Sequence, residues 1–167
     1  MTAILRPFAL VCALAFTLVS CSTDAEETYT ATPAAVEISY DYNNFEVELG
    51  TLINDHRASL GLPSLEVVNY ASYKSQEHNE YMIANQVVSH DLFEQRANNI
   101  MEVLGATRVN ENIAYNYQSA QGAFQAWLRS EGHRANIEGN FTHFGISVKS
   151  DPTTGKKYFT NLFLKMH

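Results

Sequence analysis

A chain that runs through four helical stripes and closes in an apolar hairpin is expected to fold as an α/β or α+β sandwich, with helices packed on a sheet. Two observations carry this expectation. Between residues 45 and 130 apolar side chains recur at three-to-four spacing, interrupted by Gly, Pro and Asn. The segment from Tyr158 to Leu164 is apolar on both faces over part of its length, as a central strand covered from either side should be. With 167 residues, 46% hydrophobic and 17% charged, the chain suits one folded unit and is too apolar for a disordered one. Its net charge of −7, with no basic run, argues against nucleic acid as a partner.

The elements follow in order. Residues 1–20 place Arg6 ahead of an apolar run from Phe8 to Val19, too short to span a membrane, and are read as a secretory signal. Residues 21–44 then form a tether rich in Thr, Ala, Glu, Asp and Tyr. Within it Val36, Ile38, Tyr40 and Tyr42 alternate with polar neighbours, which allows a short strand. The folded domain is expected over 45–167. Phe45, Leu49, Leu52, Ile53, His56 and Leu60 form the first stripe, stopped by Gly61 and Pro63. Asn69 can cap a second helix that buries Ala71, His78 and Met82 and ends near Asn85. A third covers Leu92 to Leu104, with Gly105 as its stop, and a fourth runs from Ser119 to about Ser130 and buries Phe124 and Trp127. Phe144, Ile146 and Val148 then alternate with polar residues, and Asp151-Pro152-Thr153-Thr154-Gly155 turns the chain into the second strand of a hairpin.

The chemistry is narrowed by elimination. There is no Gly-x-Ser-x-Gly elbow, no His-Glu-x-x-His helix, no phosphate loop and no calcium loop. Of the two cysteines, Cys12 lies in the signal and Cys21 at its end, so the domain has neither a disulfide nor a thiolate site. His and carboxylates remain as ligands. They gather at element ends in Ser89-His90-Asp91, in Asn110-Glu111-Asn112-Ile113 and in Ser130-Glu131-Gly132-His133-Arg134, where groups converge without being packed away. Glu111 precedes the apolar Ile113-Ala114, so its carboxylate should sit at the core margin, where it needs a partner. Each has a plain structural alternative: a local cap for His90, a loop acid for Glu111, a surface ion pair with Arg134 for Glu131. His56 and His78 lie on apolar helix stripes and are read as core or interface residues.

Motifs in a fixed order carry a resemblance: Leu52-Ile53-Asn54-Asp55-His56-Arg57 with Gly61-Leu62-Pro63, Ser89-His90-Asp91, Glu111-Asn112-Ile113-Ala114, Trp127-Leu128-Arg129-Ser130-Glu131-Gly132-His133-Arg134-Ala135-Asn136-Ile137, and Phe141-Thr142-His143-Phe144-Gly145. From Phe45 to Lys165 the chain resembles the CAP (SCP, pathogenesis-related-1) superfamily in its compact bacterial form. The resemblance implies an α+β fold, a three-layer α-β-α sandwich with a central antiparallel sheet, and a cleft where two His and two Glu meet. Carried over, His90 is the first His, Glu111 the first Glu, Glu131 the second Glu as eukaryotic members place it, and His133 the second His, with His143 as its competitor.

The resemblance permits a divalent metal such as zinc held by His90 and His133, metal-free or metal-assisted hydrolysis of peptide or cell-wall material by the four residues, or a non-catalytic module for an envelope polymer, a lipid or a protein. Leu18-Val19-Ser20-Cys21 resembles a bacterial lipobox, which implies a lipid on Cys21 that anchors a monomer to the membrane of the bacterial envelope, with Ser22 pointing to the outer membrane.

Overall fold

The computed structural model describes residues 38–167. The expected signal, Cys21, the tether as far as residue 37 and Val36 of the suggested strand lie outside them. The elements are α1 (Asn44–Ser59), β1 (Glu66–Val67), α2 (Asn69–Asn85), α3 (Phe93–Leu104), β2 (Arg108–Tyr115), α4 (Ala120–Arg129), α5 (Glu131–Ile137), β3 (His143–Ser150) and β4 (Lys157–Lys165). The sheet order is β1-β3-β4-β2. The three long strands are antiparallel and only the short β1 runs parallel to β3, which makes the α+β sandwich expected from the sequence.

Helix ends follow local chemistry. Asn43 caps α1 in a reciprocal box with Glu46, and Ser119 accepts from the Gly122 amide at the start of α4. Gly105 ends α3 in the left-handed conformation. Asn69, expected as the cap of α2, is instead its first helical residue, and the cap position falls to Val68. Residues 38–43 form no strand. They run as an arm whose tyrosines bond through their side chains, Tyr40 to Glu46 and Tyr42 to Asn69 and Ser72.

The two sheet faces are covered differently. Leu49 and Ile53 of α1, Phe124 and Trp127 of α4 and Ile137 of α5 pack with Phe159 and Phe163 in the larger core. On the other face Ile100 of α3 packs with Leu162 and Leu164, while α2 lies against β3 through small residues. Gly145 makes that approach possible, since a methyl group there would collide with Ala71. Ser72 accepts from the Ile146 amide, Ser75 donates to the Gly145 carbonyl, and Asn79 donates to the Ser147 carbonyl and accepts from Thr160.

Candidate functional site

Strand β2 alternates faces. Val109 and Ile113 look toward α2 and α3 and pack in the smaller clusters there. Glu111 takes the position between them, on a stripe that is otherwise apolar, and its side chain is 2% exposed. An ionised carboxylate at that depth needs compensation. Its Oε2 accepts two bonds from Arg96 of α3, from Nη2 at 2.6 Å and Nε at 3.0 Å. Its Oε1 accepts from His90 Nδ1 at 2.8 Å. Arg96 is thus the partner that the burial of Glu111 demands, and it also donates to the Asp91 carbonyl, tying α3 to the loop that carries His90.

This arrangement fixes the His90 ring. A carboxylate only accepts, so Nδ1 carries the proton and the neutral ring presents the Nε2 lone pair. The side chain is 54% exposed, so Nε2 stands at a solvent-accessible margin while Nδ1 is anchored to a buried acid. Below it lies His78 of α2, which sequence patterning assigns to the core. Its side chain is buried, its Nε2 donates to the Ser89 carbonyl at 2.8 Å, and the same nitrogen lies 3.9 Å from Glu111 Oε1. His78 therefore supports the His90 loop from beneath. Its place on a helix stripe could not reveal this role, but its spacing of eleven residues from Ser89 is short enough for a helix-to-loop bond.

The electrostatics follow from the packing. Burial pushes the Glu111 carboxyl up, but the His90 bond, the Arg96 charge, His78 and the Arg96 bonds together hold it below the usual range. Burial pulls His78 below the ordinary imidazole value, against the attraction of Glu111. His133 is also lowered, first by burial and then by the charge that His90 carries when protonated.

His133 is held through the outer edge of β2. Asn136 Nδ2 of α5 donates to Asn112 Oδ1 at 2.8 Å and to the Glu111 carbonyl at 3.3 Å, and its Oδ1 accepts from Asn110. Asn112 donates back to the His133 carbonyl at 3.0 Å. Trp127 of α4 closes the next step by donating to the Ile113 carbonyl at 2.8 Å. The strand edge is thereby capped by side chains, and the same bonds hold α5 beside Glu111.

The structure brings His90 and Glu111 into contact and ties the His133 backbone to Asn112, the residue after Glu111. Glu131 is exposed at the first position of α5 and is hydrogen-bonded to none of the other three; among the described residues it also makes no ion pair with Arg134. His143 begins β3, bonds Thr142 through Nδ1 and lies 3.5 Å from Glu66, at a separate groove shared with Arg57 and Phe141. His56 pairs with Glu138 at 2.9 Å, an interface role like the one its stripe suggests. Among the described residues no group of three or more His, Cys, Asp or Glu is placed to hold a metal ion.

Comparison with known proteins adds a family. The model for CAP, described as the cysteine-rich secretory protein family, matches residues 51–163. Two proteins of Bacillus subtilis (strain 168) are similar in sequence: the uncharacterized membrane protein YlbC, 32% identical over 126 residues, and the uncharacterized protein YkwD, 29% identical over 126 residues. The alignments cover 72% and 73% of this chain but 34% and 48% of those proteins, so the chain spans between a third and a half of their length. Among solved structures, an outer surface protein from Borrelia burgdorferi superposes with a TM-score of 0.68 at 21% identity, covering 77% of this chain and 97% of that one. An extracellular protein containing an SCP domain from Bacillus anthracis str. Ames gives 0.63 at 26% identity, covering 77% and 45%.

Proposed function

The chain belongs to the CAP family of cysteine-rich secretory proteins, and from that premise we propose that it serves in the bacterial envelope as a binding domain whose cleft takes a divalent cation such as zinc between His90 and His133. The observation that carries this reading is the 2.8 Å bond from His90 Nδ1 to the buried Glu111. A carboxylate behind an imidazole is the arrangement that orients a metal-ligating His and raises its basicity. His133, lowered by burial, offers the neutral ring that a cation requires. With two imidazoles and no third protein ligand beside them among the described residues, the donor set fits a weakly held ion completed by water. When bound, such an ion polarises a carbonyl or lowers the pKa of water. The protein's own share is to orient His90 through Glu111, to hold Glu111 through Arg96 and to position His133 through Asn112 and Asn136. Calorimetric titration of chelator-treated protein with zinc tests this. Binding that weakens sharply in His90→Ala supports it, and equal affinity in both proteins overturns it.

The same bond favours a second reading, in which His90 acts without metal as an acid and base toward peptide or cell-wall material and Glu111 stabilises its charged form. Turnover that persists in chelator and is lost in His90→Ala would select this reading over the first.

We further propose that a lipid on Cys21 holds the domain at the membrane. The lipobox-like Leu18-Val19-Ser20-Cys21 supports this, as do relatives described as an outer surface protein, an extracellular protein and a membrane protein. No helix among the described residues is long and apolar enough to cross a membrane. Incorporation of labelled palmitate that disappears in Cys21→Ala is the expected result, and labelling that survives the substitution removes the anchor.

A further inference from the structure

We propose that the crevice between α2 and α3, next to the His90–Glu111 pair but distinct from it, is a subsite for a neutral pyranose sugar. The crevice has a volume of about 240 Å³ and is lined by His78, Tyr81, Leu92, Gln95, Arg96 and Asn99, with Lys74 and Glu77 at its rim. Four features point to a ligand of this class.

The first is an orphaned atom. His78 Nε2 is spent on the Ser89 carbonyl, and Nδ1 is buried with no partner. In the neutral ring Nδ1 is an acceptor, and a buried acceptor left unpaired is costly enough that native proteins rarely keep one. Only a donor satisfies it, and a ligand hydroxyl is a compact one.

The second is a strained apolar residue at the mouth. Leu92 has φ 60°, in the left-handed region, and is 52% exposed. A branched apolar side chain held there, at a cost of about 1–3 kcal/mol, is the kind of outlier that collects at binding sites.

The third is charge balance. Arg96 is committed to Glu111, and Lys74 pairs with Glu77 at 2.8 Å, so the crevice carries no spare charge for an ionic ligand. The fourth is its hydrogen-bonding surface. Asn99 accepts from Tyr70 and keeps its amide protons free, and Gln95 has no partner on its side chain among the described residues. Planar amides that both donate and accept, beside Tyr81 and Leu92 as apolar surfaces, complement a neutral ring that carries hydroxyls on its rim and C–H groups on its face. One such ring is of the size of the crevice. Tyr81 is the cover over His78. Its ring stacks on the imidazole at 6.0 Å and packs at the edge of the Met82, Ile113 and Tyr158 cluster, and its hydroxyl makes one 3.2 Å bond to exposed Asp91, so a sugar hydroxyl reaches Nδ1 by displacing this ring.

The proposal is independent of a cation at His90 and His133, and its test keeps the two apart. Full-length protein is titrated with maltotriose and with chitotriose, neutral trisaccharides without and with acetamido groups, by saturation-transfer NMR and calorimetry. Gln95→Trp fills the mouth from an exposed position without touching the core, and should reduce saccharide affinity by about tenfold or more while leaving zinc binding unchanged. His78→Phe, which removes the acceptor, should do the same to the saccharide. His90→Ala should leave saccharide affinity within about twofold. Saturable binding of either trisaccharide with this pattern supports the crevice, and a preference between them identifies the sugar class. No saturable binding of either one, or binding that survives Gln95→Trp, overturns it. Loss in His90→Ala with retention in Gln95→Trp also overturns it and moves the saccharide to the imidazole cleft.

Discussion

Along the β3 edge of the sheet, beyond the two residues paired with β1, Ser72 receives the Ile146 amide, Glu46 receives the Val148 amide and Asn43 donates to the Val148 carbonyl. Along the opposite edge, Trp127 and Asn136 donate to the β2 carbonyls of Ile113 and Glu111. Both edges are capped by side chains from the flanking helices. At β3 the caps from Ser72 and Glu46 are buried, as are Ser75 and Asn79 beside them, and the bonds do no more than join α1 and α2 to the sheet. At β2 the cap is shallower. Asn136 is half-buried, α5 begins at the surface, and the loop before α3 folds back so that a ring with 54% exposure rests on a buried acid. The difference shows that a polar seal becomes chemically available where one end of its network reaches solvent.

The largest test of this contrast is Glu111→Gln. It leaves Arg96 buried without its counter-charge and removes the acceptor that fixes His90, so a loss of about 3–5 kcal/mol is expected in urea unfolding, together with zinc affinity. A loss below about 1 kcal/mol would mean that Arg96 escapes to water and that the β2 edge is not held by charge. Asn79→Ala probes the buried seam of α2 beside the other edge. It removes the side-chain bond to the Ser147 carbonyl, which keeps its ladder partner on β4, and strands the Thr160 hydroxyl; it should cost about 1–3 kcal/mol, while zinc titration stays as in the wild type. If zinc affinity falls as well, the two edges are coupled and the contrast fails. Asn136→Ala should cost only about 1 kcal/mol, because its surroundings admit water. Its zinc affinity should nonetheless drop about tenfold as His133 loses its placement. Equal affinity would show that α5 is positioned by Trp127 and Ile137 alone.

Much of this was open to reading from sequence because the responsible physics is local. The stripes through Leu49 and Ile53, or Phe124 and Trp127, mark α1 and α4, and Gly105 marks the end of α3. Strand β2 escapes notice because its alternation is interrupted by the residues that build the site: Glu111 interrupts the Val109–Ile113 face, and Asn110 and Asn112 occupy the other to meet α5. Helix α5 escapes because it is short, contains Gly132 and buries only Ile137, so it has no stripe to read. His90 and Glu111 stand out as polar residues at element margins. Arg96 and His78 do not, since each sits on a helix whose spacing says nothing of a partner 15 or 11 residues further along the chain.

The smallest expected effect concerns acid. Burial lowers the His78 imidazole below its ordinary value, so between that value and its folded one the unfolded chain binds the proton more readily. The stability tied to a neutral His78 is therefore complete above about pH 6.5 and is lost as pH falls through the depressed value, with a slope of no more than about 1.4 kcal/mol per pH unit for one imidazole. Glu111 is depressed as well, so its contribution holds until the pH drops below the usual glutamate range and is lost only further down. Thermal unfolding followed from pH 7 downward should thus decline in two stages. In His78→Gln, whose amide can still donate to the Ser89 carbonyl, the first stage should shrink to the share that the likewise depressed His133 contributes, and the second should remain. A first stage of undiminished size in that variant would assign it to His133 alone and leave the floor beneath His90 insensitive to pH.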